Sequence, residues 1–197
     1  MNLEFREPTT EQELKSLFDL RREVYSQADA LKTMVQGNDV TEFDLRAFHF
    51  GGFDDGKAIA YMRMVQWNET KFAPWVKKIS DNNISEVPKE IRFPFEFYCP
   101  FKKWNYSFLE SFIGKKIGEA GKLAIHEDYR KDNILEDFVK AFVVYCKETN
   151  RFDSGFGVCT FTLERFYKKL GFNRAKDAEP FVYKDLPEAV MLQFDRE

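Results

Sequence analysis

Two arginines stand among apolar residues, and a buried arginine needs an acidic partner. Arg21 falls on the apolar stripe of a candidate helix, and Arg63 alternates with apolar residues on a candidate strand. Removing a charge from water is costly unless an opposite charge compensates for it. We therefore expect Arg21 to contact at least one of Asp39, Asp44 and Glu119, and we predict one partly buried charge network.

A strand, a short loop and a helix are predicted within residues 122–142, and their junction is a candidate phosphate site. Backbone N–H groups and the positive end of a helix dipole converge at such a junction. Phosphate loops usually carry glycines there, but this loop has Asn133 and Leu135. Asp132 adds a negative charge that would repel a diphosphate, whereas Arg130 and Lys131 would attract a phosphate.

Composition narrows the class of protein. The chain has 197 residues, of which 44% are hydrophobic, so it is long enough for one sizeable core. A net charge of −3 gives no support for nucleic-acid binding. No apolar run approaches the roughly 20 residues that span a bilayer, and the first residues do not resemble a signal peptide. Three scattered cysteines and two distant histidines favour neither a disulfide framework nor a metal site, so we expect a cytoplasmic protein without a metal.

The predicted order of elements is β-α-β-β-insertion-β-α-β-α-β, which indicates an α/β domain with a mixed sheet. Residues 67–118 hold four of the seven prolines and read as an insertion within one domain, 1–197. Asp54, Asp55 and Gly56 predict a hairpin turn, and Gly171 is placed to end a helix. The predicted strands are 3–7, 43–50, 58–65, 119–126, 155–161 and 189–194; the predicted helices are 10–26, 133–149 and one capped by Thr162.

The segment "TLERFYKKLGF" (162–172) resembles the closing helix of the GNAT acyltransferases. Four further segments occur in sequence: "LRREVY" (20–25), "GNDVTEFD" (37–44), "YMRM" (61–64) and "GEAGKLAI" (118–125). Together they resemble the acyl-homoserine-lactone (autoinducer) synthases and the related long-chain N-acyl amino acid synthases. This resemblance implies a GNAT-like fold with an insertion before the fourth main strand, and a V-shaped split between strands 119–126 and 156–160.

The resemblance to these synthases covers most of the chain outside the insertion, and the residues that match their patterns all lie there. They are Arg21, Val24, Tyr25, Gly37, Phe43, Asp44, Arg63, Glu119 and Leu123. Four positions depart from the patterns: Asp39 replaces Glu, Thr41 replaces Asp, Gly121 replaces Ser, and Lys122 replaces Arg. A lysine cannot reproduce the two-pronged hydrogen bonding of an arginine.

The resemblance also implies roles for individual residues. Glu119 would be the general base, directly or through water, and Tyr167 would protonate the leaving thiolate. The alternatives are that Glu119 belongs to a structural ion cluster and that Tyr167 is a core residue. Backbone N–H groups of Leu123, Ala124 and Ile125 would polarise the thioester carbonyl. The phosphate of the donor would be held by Arg130, Lys131 and Asn133. The residues that would shape the acceptor side are Arg21, Asp39, Asp44, Arg63 and Lys122.

The implied function is transfer of an acyl group from a thioester donor to the amino group of a small molecule such as an amino acid. The donor would be acyl-CoA or an acyl-phosphopantetheine on an acyl carrier protein, and we expect long chains to be preferred over acetyl. An acidic carrier protein could dock on a basic rim formed by Lys102, Lys103, Lys115 and Lys116. Two alternatives remain: an ordinary acetyl-CoA N-acetyltransferase, and a catalytically silent module that binds acyl thioesters or amino acids.

Overall fold

The computed structural model describes residues 2–27, 39–66, 69–87, 91, 93–95, 113–130, 133–175, 180–183 and 186–195. These residues form one eight-stranded mixed sheet with helices on both faces. The strands are β1 (Leu3–Arg6), β2 (Ala47–Asp54), β3 (Lys57–Val65), β4 (Ile117–Ile125), β5 (Ser154–Thr160), β6 (Asn173–Arg174), β7 (Phe181–Tyr183) and β8 (Leu186–Asp195). The helices are α1 (Glu11–Gln27), α2 (Glu42–Leu45), α3 (Ala73–Ile79), α4 (Ile134–Glu148) and α5 (Phe161–Lys169), with a 3₁₀ turn at Glu127–Tyr129.

Strand order in the sheet is β1-β2-β3-β4-β5-β8-β6, and β7 pairs with β8. The β4–β5 pair is parallel, and the other described pairs are antiparallel. The crossover between β4 and β5 contains α4, as a parallel connection requires. The mixed α/β sheet expected from the sequence is therefore confirmed.

Several local signals act as the sequence predicts. The hairpin between β2 and β3 turns at Asp55 and Gly56, which both have positive φ, 47° and 83°; this is the backbone that a tight two-residue hairpin requires. Gly171, with φ at 88°, follows α5 in the left-handed region. At the start of α1, the backbone N–H of Glu13 donates to Thr10 Oγ1 over 3.1 Å.

Other boundaries differ from the prediction. The expected strand 43–50 begins only at Ala47, because residues 42–45 form a helical turn that Asp44 caps by accepting from the Thr41 N–H over 2.9 Å. The helix expected to be capped by Thr162 starts two residues earlier, at Phe161, with Thr160 at its N-cap. The two short strands β6 and β7 carry too few residues for a recognisable periodicity, and the sequence did not predict them.

The two faces of the sheet differ in chemistry. On one face, α4 packs aromatic and aliphatic side chains over β2, with Phe50 within 5.5 Å ring distance of both Phe138 and Phe142. On the other face, α1 places Arg21 and Phe18 over His49 and Tyr61, all of them buried. No helix within the described ranges is both long and apolar enough to cross a bilayer.

The described part of the insertion packs onto the sheet. Phe72 and Val76, at and within α3, are fully buried, and Phe93 and Phe95 make edge-to-face contacts with Phe156 of β5 at 5.2 Å. Lys102, Lys103 and most of the aromatic run after Phe95 lie outside the described residues. That the chain is a single domain over 1–197 stays a prediction.

Candidate active site at the split between β4 and β5

The parallel strands β4 and β5 pair along only part of their length. Their register runs from Ile117 opposite Ser154 to Ala120 opposite Gly157, and pairing stops there although both strands continue. At the last pair, a Cβ on Gly157 would lie 2.9 Å from the Ala120 carbonyl oxygen, so only glycine fits this close approach. The V-shaped split expected from the sequence is confirmed.

A β-bulge on β4 lies beside the split. Tyr61 of β3 is opposite Ala124 and Arg63 is opposite Gly121, so two β4 residues, Lys122 and Leu123, face the single residue between them on β3. Lys122 has φ at 58°, a conformation that is uncommon for a residue other than glycine. A bulge bends its strand and redirects its backbone groups, so the bulge turns this part of β4 towards the split.

A cavity of about 350 Å³ occupies the split. Its wall is mainly apolar, and the polar side chains that reach it include Tyr25, Lys122 and Tyr167. Of the predicted carbonyl-polarising positions, Leu123 lines this cavity, whereas Ala124 is buried opposite Tyr61. The apolar wall is formed chiefly by Met62, Leu123, Val139, Phe142, Val158, Leu163, Phe172 and Leu192.

Tyr167, the implied proton donor, lies in the wall of the cavity. Burial raises the pKa of its phenol, and the nearby Cys159 and Tyr25 raise this pKa further. Burial likewise raises the pKa of the Cys159 thiol to about 12. Tyr167 is therefore protonated at neutral pH and can donate a proton or a hydrogen bond into the cavity, while its role as the catalytic acid stays a prediction.

Tyr25 is a site residue that the sequence matched to a motif without giving it a role. Its hydroxyl donates to the carbonyl oxygen of Leu123 over 3.4 Å and so connects α1 to the bulge. Burial raises the pKa of Tyr25 to about 12, against the opposing charge of Arg21. Lys122 places Nζ 5.2 Å from the centre of the Tyr25 ring. Lys122, which the resemblance placed among the residues that shape the acceptor side, is half-buried in the cavity wall, and that role stays a prediction.

The expected partners of Arg21 are present. Arg21 Nε lies 2.7 Å from Asp39 Oδ2 and Nη1 lies 2.8 Å from Asp44 Oδ1, and Arg63 Nη1 lies 2.7 Å from the same Asp44 oxygen. All four side chains are almost fully buried. Burial alone would raise the pKa of Asp44, but the charges of Arg21 and Arg63 outweigh it and hold this pKa well below its usual range.

His49 extends this cluster, and sequence reasoning did not find it. Its Nδ1 lies 2.9 Å from the Tyr61 hydroxyl and its Nε2 lies 3.0 Å from the Asp44 carbonyl oxygen. The Tyr61 hydroxyl in turn accepts from Arg21 over 3.2 Å. Burial lowers the pKa of His49 to about 4, so the imidazole is neutral at pH 7.

Glu119 lies on the paired part of β4, before the split. It is 4% exposed, it stands opposite Val65 of β3, and its Oε2 accepts from the Phe95 N–H over 3.0 Å. Opposed residues on neighbouring strands share a face, so Glu119 lies on the same face as Arg63, two residues from Val65. This is the charged face of the sheet, and the cavity wall does not include Glu119. Its role as general base stays a prediction.

At the predicted phosphate junction, Asn133 and Leu135 stand where phosphate loops carry glycine. Asn133 has the left-handed backbone conformation that glycine adopts most easily. Asn133 caps α4 with φ at 56° in the left-handed region, and asparagine is among the side chains that tolerate this conformation best. Arg130 Nε donates to the carbonyl oxygen of Ile125 over 3.2 Å. A second cavity of about 440 Å³ adjoins the junction and is lined by Val24, Gln27, Leu123, Ile125, Arg130 and Leu135.

Leu135 thus places a branched side chain where the resemblance expects glycine or alanine. Leu123 lines both this cavity and the one in the split. Lys131 and Asp132 lie outside the described residues. Of the predicted basic rim, Lys115 and Lys116 are described: Lys115 Nζ donates to Ser154 Oγ over 3.4 Å, and the Lys116 N–H donates to Asp153 Oδ2 over 2.8 Å. Docking of a carrier protein there stays a prediction. Within the described ranges no three histidine, cysteine or acidic side chains group as metal ligands would.

Solved structures share this architecture. An N-acyl amino acid synthase, FeeM, from uncultured soil microbes superposes with a TM-score of 0.61 at 14% identity, covering 99% of this chain and 91% of that chain. A CoA-dependent acyl-homoserine lactone synthase, BjaI, in a structure with SAM and isopentyl-CoA, gives 0.64 at 11% identity over 95% and 77% of the two chains. An acetyltransferase of the GNAT family from Streptococcus pneumoniae gives 0.57 at 10% identity over 98% of both.

No family model matches the chain, and no curated protein matches it. The structural likeness establishes that the chain has the GNAT acyltransferase fold predicted from the sequence. It also includes the two classes of synthase that the motifs resemble.

Proposed function

We propose that this protein is an N-acyltransferase that moves an acyl group from a thioester donor to the amino group of a small molecule. The observation that carries the proposal is the split itself. An apolar cavity lies between two diverging strands, a bulged backbone edge forms one wall, and the protonated Tyr167 lies in the wall with it. These are the parts that acyl transfer needs: a slot for the acyl chain, dipoles for the carbonyl and an acid for the leaving group.

In the proposed reaction the amine attacks the thioester carbonyl, a C–N bond forms and the C–S bond breaks. Backbone N–H groups of the bulge around Leu123 stabilise the negative charge that develops on the carbonyl oxygen. Glu119 takes the proton that the amine loses, directly or through water, and Tyr167 gives its proton to the departing thiolate. Glu119 lies on the charged face of the sheet before the split, whereas Tyr167 lies in the cavity wall, so the proposed base and the proposed acid approach the reaction from different positions.

The proposed donor is a long-chain acyl thioester on CoA or on the phosphopantetheine arm of a carrier protein. The wall of the cavity is mainly apolar, and each buried methylene contributes about 0.8 kcal/mol to binding, so a longer chain gains affinity that acetyl lacks. At the junction, Asn133 has a glycine-like backbone and Arg130 brings a positive charge, but Leu135 crowds the approach of a diphosphate. These features support carrier-protein donors at least as well as CoA donors.

The test compares kcat/KM for acetyl-CoA, a long-chain acyl-CoA and the matching acyl carrier protein over a panel of amines, with products identified by mass spectrometry. We expect N-acylated products and a preference for long chains. Tyr167→Phe should lower kcat by about 10²–10⁴-fold, the range of general acid catalysis, with an unchanged melting temperature. A clear preference for acetyl-CoA would favour an ordinary N-acetyltransferase, and thioester binding without turnover would favour a silent binding module.

A further inference from the structure

Lys122 carries a primary amine in the wall of the cavity at the split. It is half-buried, and it lines the cavity together with Tyr25 and Leu123. Its Nζ lies 5.2 Å from the centre of the Tyr25 ring, so the amino group is beside another residue of the cavity wall. Of the lysines that the structure describes, Lys122 alone lines this mainly apolar cavity.

The backbone of β4 holds Lys122 at this position under strain. Lys122 and Leu123 form the bulge opposite β3, and the φ of Lys122 is 58°. A residue other than glycine in this conformation costs stability, and such residues cluster at functional sites. The preceding residue, Gly121, also lines the cavity, and a Cβ built on it would meet no atom within 4 Å. The strained lysine therefore adjoins open space in the split.

The proposed reaction has the same requirements for an amine of the wall as for an amine of an acceptor. Transfer needs a neutral amine near a polarised thioester carbonyl and an acid for the departing thiolate. Lys122 is bonded to Leu123, around which the bulge N–H groups are proposed to polarise that carbonyl. An amine held beside the reacting carbon also gains from proximity. When no acceptor is bound, Lys122 is thus the amine best placed to react.

We propose that Lys122 is a self-acylation site, to which the protein transfers the acyl chain of its own bound thioester. The neutral Nζ attacks the thioester carbonyl, a C–N bond forms and the C–S bond breaks. The amine loses one proton, and the departing thiolate takes one up to leave as a thiol. The product is an amide, so each molecule is modified once. This inference rests on the proposed function and adds an acceptor within the chain itself.

The modification closes the slot to the next donor. It removes the positive charge of Lys122 and attaches an apolar chain to the wall of a cavity of about 350 Å³. A second thioester then competes with the attached chain for the same space. Self-acylation therefore restrains the enzyme when donor accumulates and the acceptor amine is scarce.

The first experiment incubates the protein with a long-chain acyl-CoA and no amine, and locates added acyl groups by intact mass and peptide mapping. We expect one acyl group, on Lys122, at an occupancy at least about tenfold above that of the exposed Lys57 and Lys115, because proximity favours the amine in the slot. Hydroxylamine should leave this amide in place, whereas it would remove a thioester formed on Cys159, which lines the same cavity.

Three variants separate self-acylation from chemical acylation in solution. Lys122→Arg keeps the charge but removes the nucleophile, since a guanidinium stays protonated; preincubation with donor should then no longer lower the later acylation of free amines. Lys57→Arg is the matched control on the exposed hairpin and should be modified at Lys122 as the wild type is. Tyr167→Phe should slow the modification by the same factor as it slows transfer to free amines.

The outcomes distinguish this site from the proposed function. Acyl groups spread over exposed lysines, or found only on Cys159, overturn the site. If free amines are acylated and Lys122 is not, the site is overturned and the N-acyltransferase stands. If Lys122 is acylated but no free amine is, the site stands and transfer to a small molecule fails. A protein that acylates neither contradicts both.

Discussion

The two faces of the sheet are held by different kinds of interaction. On the α4 side, the core is made of ring and aliphatic contacts, such as Phe50 with Phe138 and Phe142. On the α1 side, the core contains a buried cluster in which Arg21 and Arg63 meet Asp44. The side chains on both faces are buried, but only the contacts on the α1 face depend on direction and charge.

Under the proposed function, the α4 face would serve the acyl chain of the donor and the α1 face would serve the acceptor. Apolar packing has no preferred direction and tolerates changes that conserve volume, so the α4 side suits a chain of methylenes. A buried ion cluster fixes positions and selects a partner by charge, although it adds little to stability by itself. Substitutions that act on one side of the sheet should therefore separate stability, chain length and acceptor choice.

The largest expected effect comes from breaking the ion cluster. Arg21→Ala leaves Asp39 without its buried partner and Asp44 with only Arg63, and removing one partner of a buried pair costs about 3–5 kcal/mol. The free energy of unfolding in urea measures this loss. Arg22→Ala is the control on the next residue, since its half-exposed pairs contribute at most about 1 kcal/mol. If Arg21→Ala and wild type share one midpoint, Arg21 does not stabilise the fold through these pairs.

Low pH should reduce the loss of unfolding free energy that Arg21→Ala causes. The folded pKa of Asp44 lies well below its unfolded value, so its stabilising contribution is present above an unfolded pKa of about 3.9 and is lost as the pH falls through that value towards the folded pKa. The difference in unfolding free energy between wild type and Arg21→Ala should thus narrow between pH 7 and pH 3.5. A constant difference would mean that lost packing of the Arg21 side chain, rather than its charge, causes the destabilisation.

A smaller effect is expected on the apolar side, and it concerns chain length. Val139 of α4 is buried and lines the cavity, so Val139→Phe should fill part of the acyl slot. Losing room for two methylenes is worth about 1.6 kcal/mol, or roughly a tenfold fall in kcat/KM for long-chain donors. Short-chain donors should be unaffected. The control is Val144→Phe on the exposed side of the same helix, where the side chain is 50% exposed. Equal losses in both variants would argue against an acyl slot here.

The smallest effect on the free energy of unfolding is expected at Met64, which follows Arg63 on β3 and lies on the opposite face of the sheet. Met64 is fully buried, and its side chain occupies the space above Gly118 and Gly155. Met64→Leu conserves volume among apolar neighbours and should cost less than about 1.5 kcal/mol of unfolding free energy. A loss as large as that of Arg21→Ala would show that packing on this side is as specific as the ion pairing on the other.

Short-range signals were readable in the sequence. The hairpin at Asp55 and Gly56 and the helix end at Gly171 follow from backbone preferences that act within a few residues. The pairing of Arg21 with acidic residues could also be predicted from the sequence, because a charge on an apolar stripe is costly to bury unless an opposite charge pairs with it. The split between β4 and β5 came from resemblance to a family, and the fold confirms it.

The pairing register between strands that are distant in the chain could not be predicted from the sequence. The bulge at Lys122 and Leu123, where two β4 residues face one residue of β3, could not be predicted from the sequence. His49 sits in an apolar strand, and its contact with Asp44 depends on the helical turn that replaced the expected strand start.

The sequence by itself determined which side chains are too polar to be buried alone and which turns need glycine, because burial cost and backbone strain are properties of single residues and their neighbours. Tertiary structure decided which partner each charge finds, where β4 bulges and which face Glu119 occupies. Those outcomes depend on the register between strands that are far apart in the chain. A slip of β4 by one residue against β3 would place Glu119 on the face opposite to Arg63.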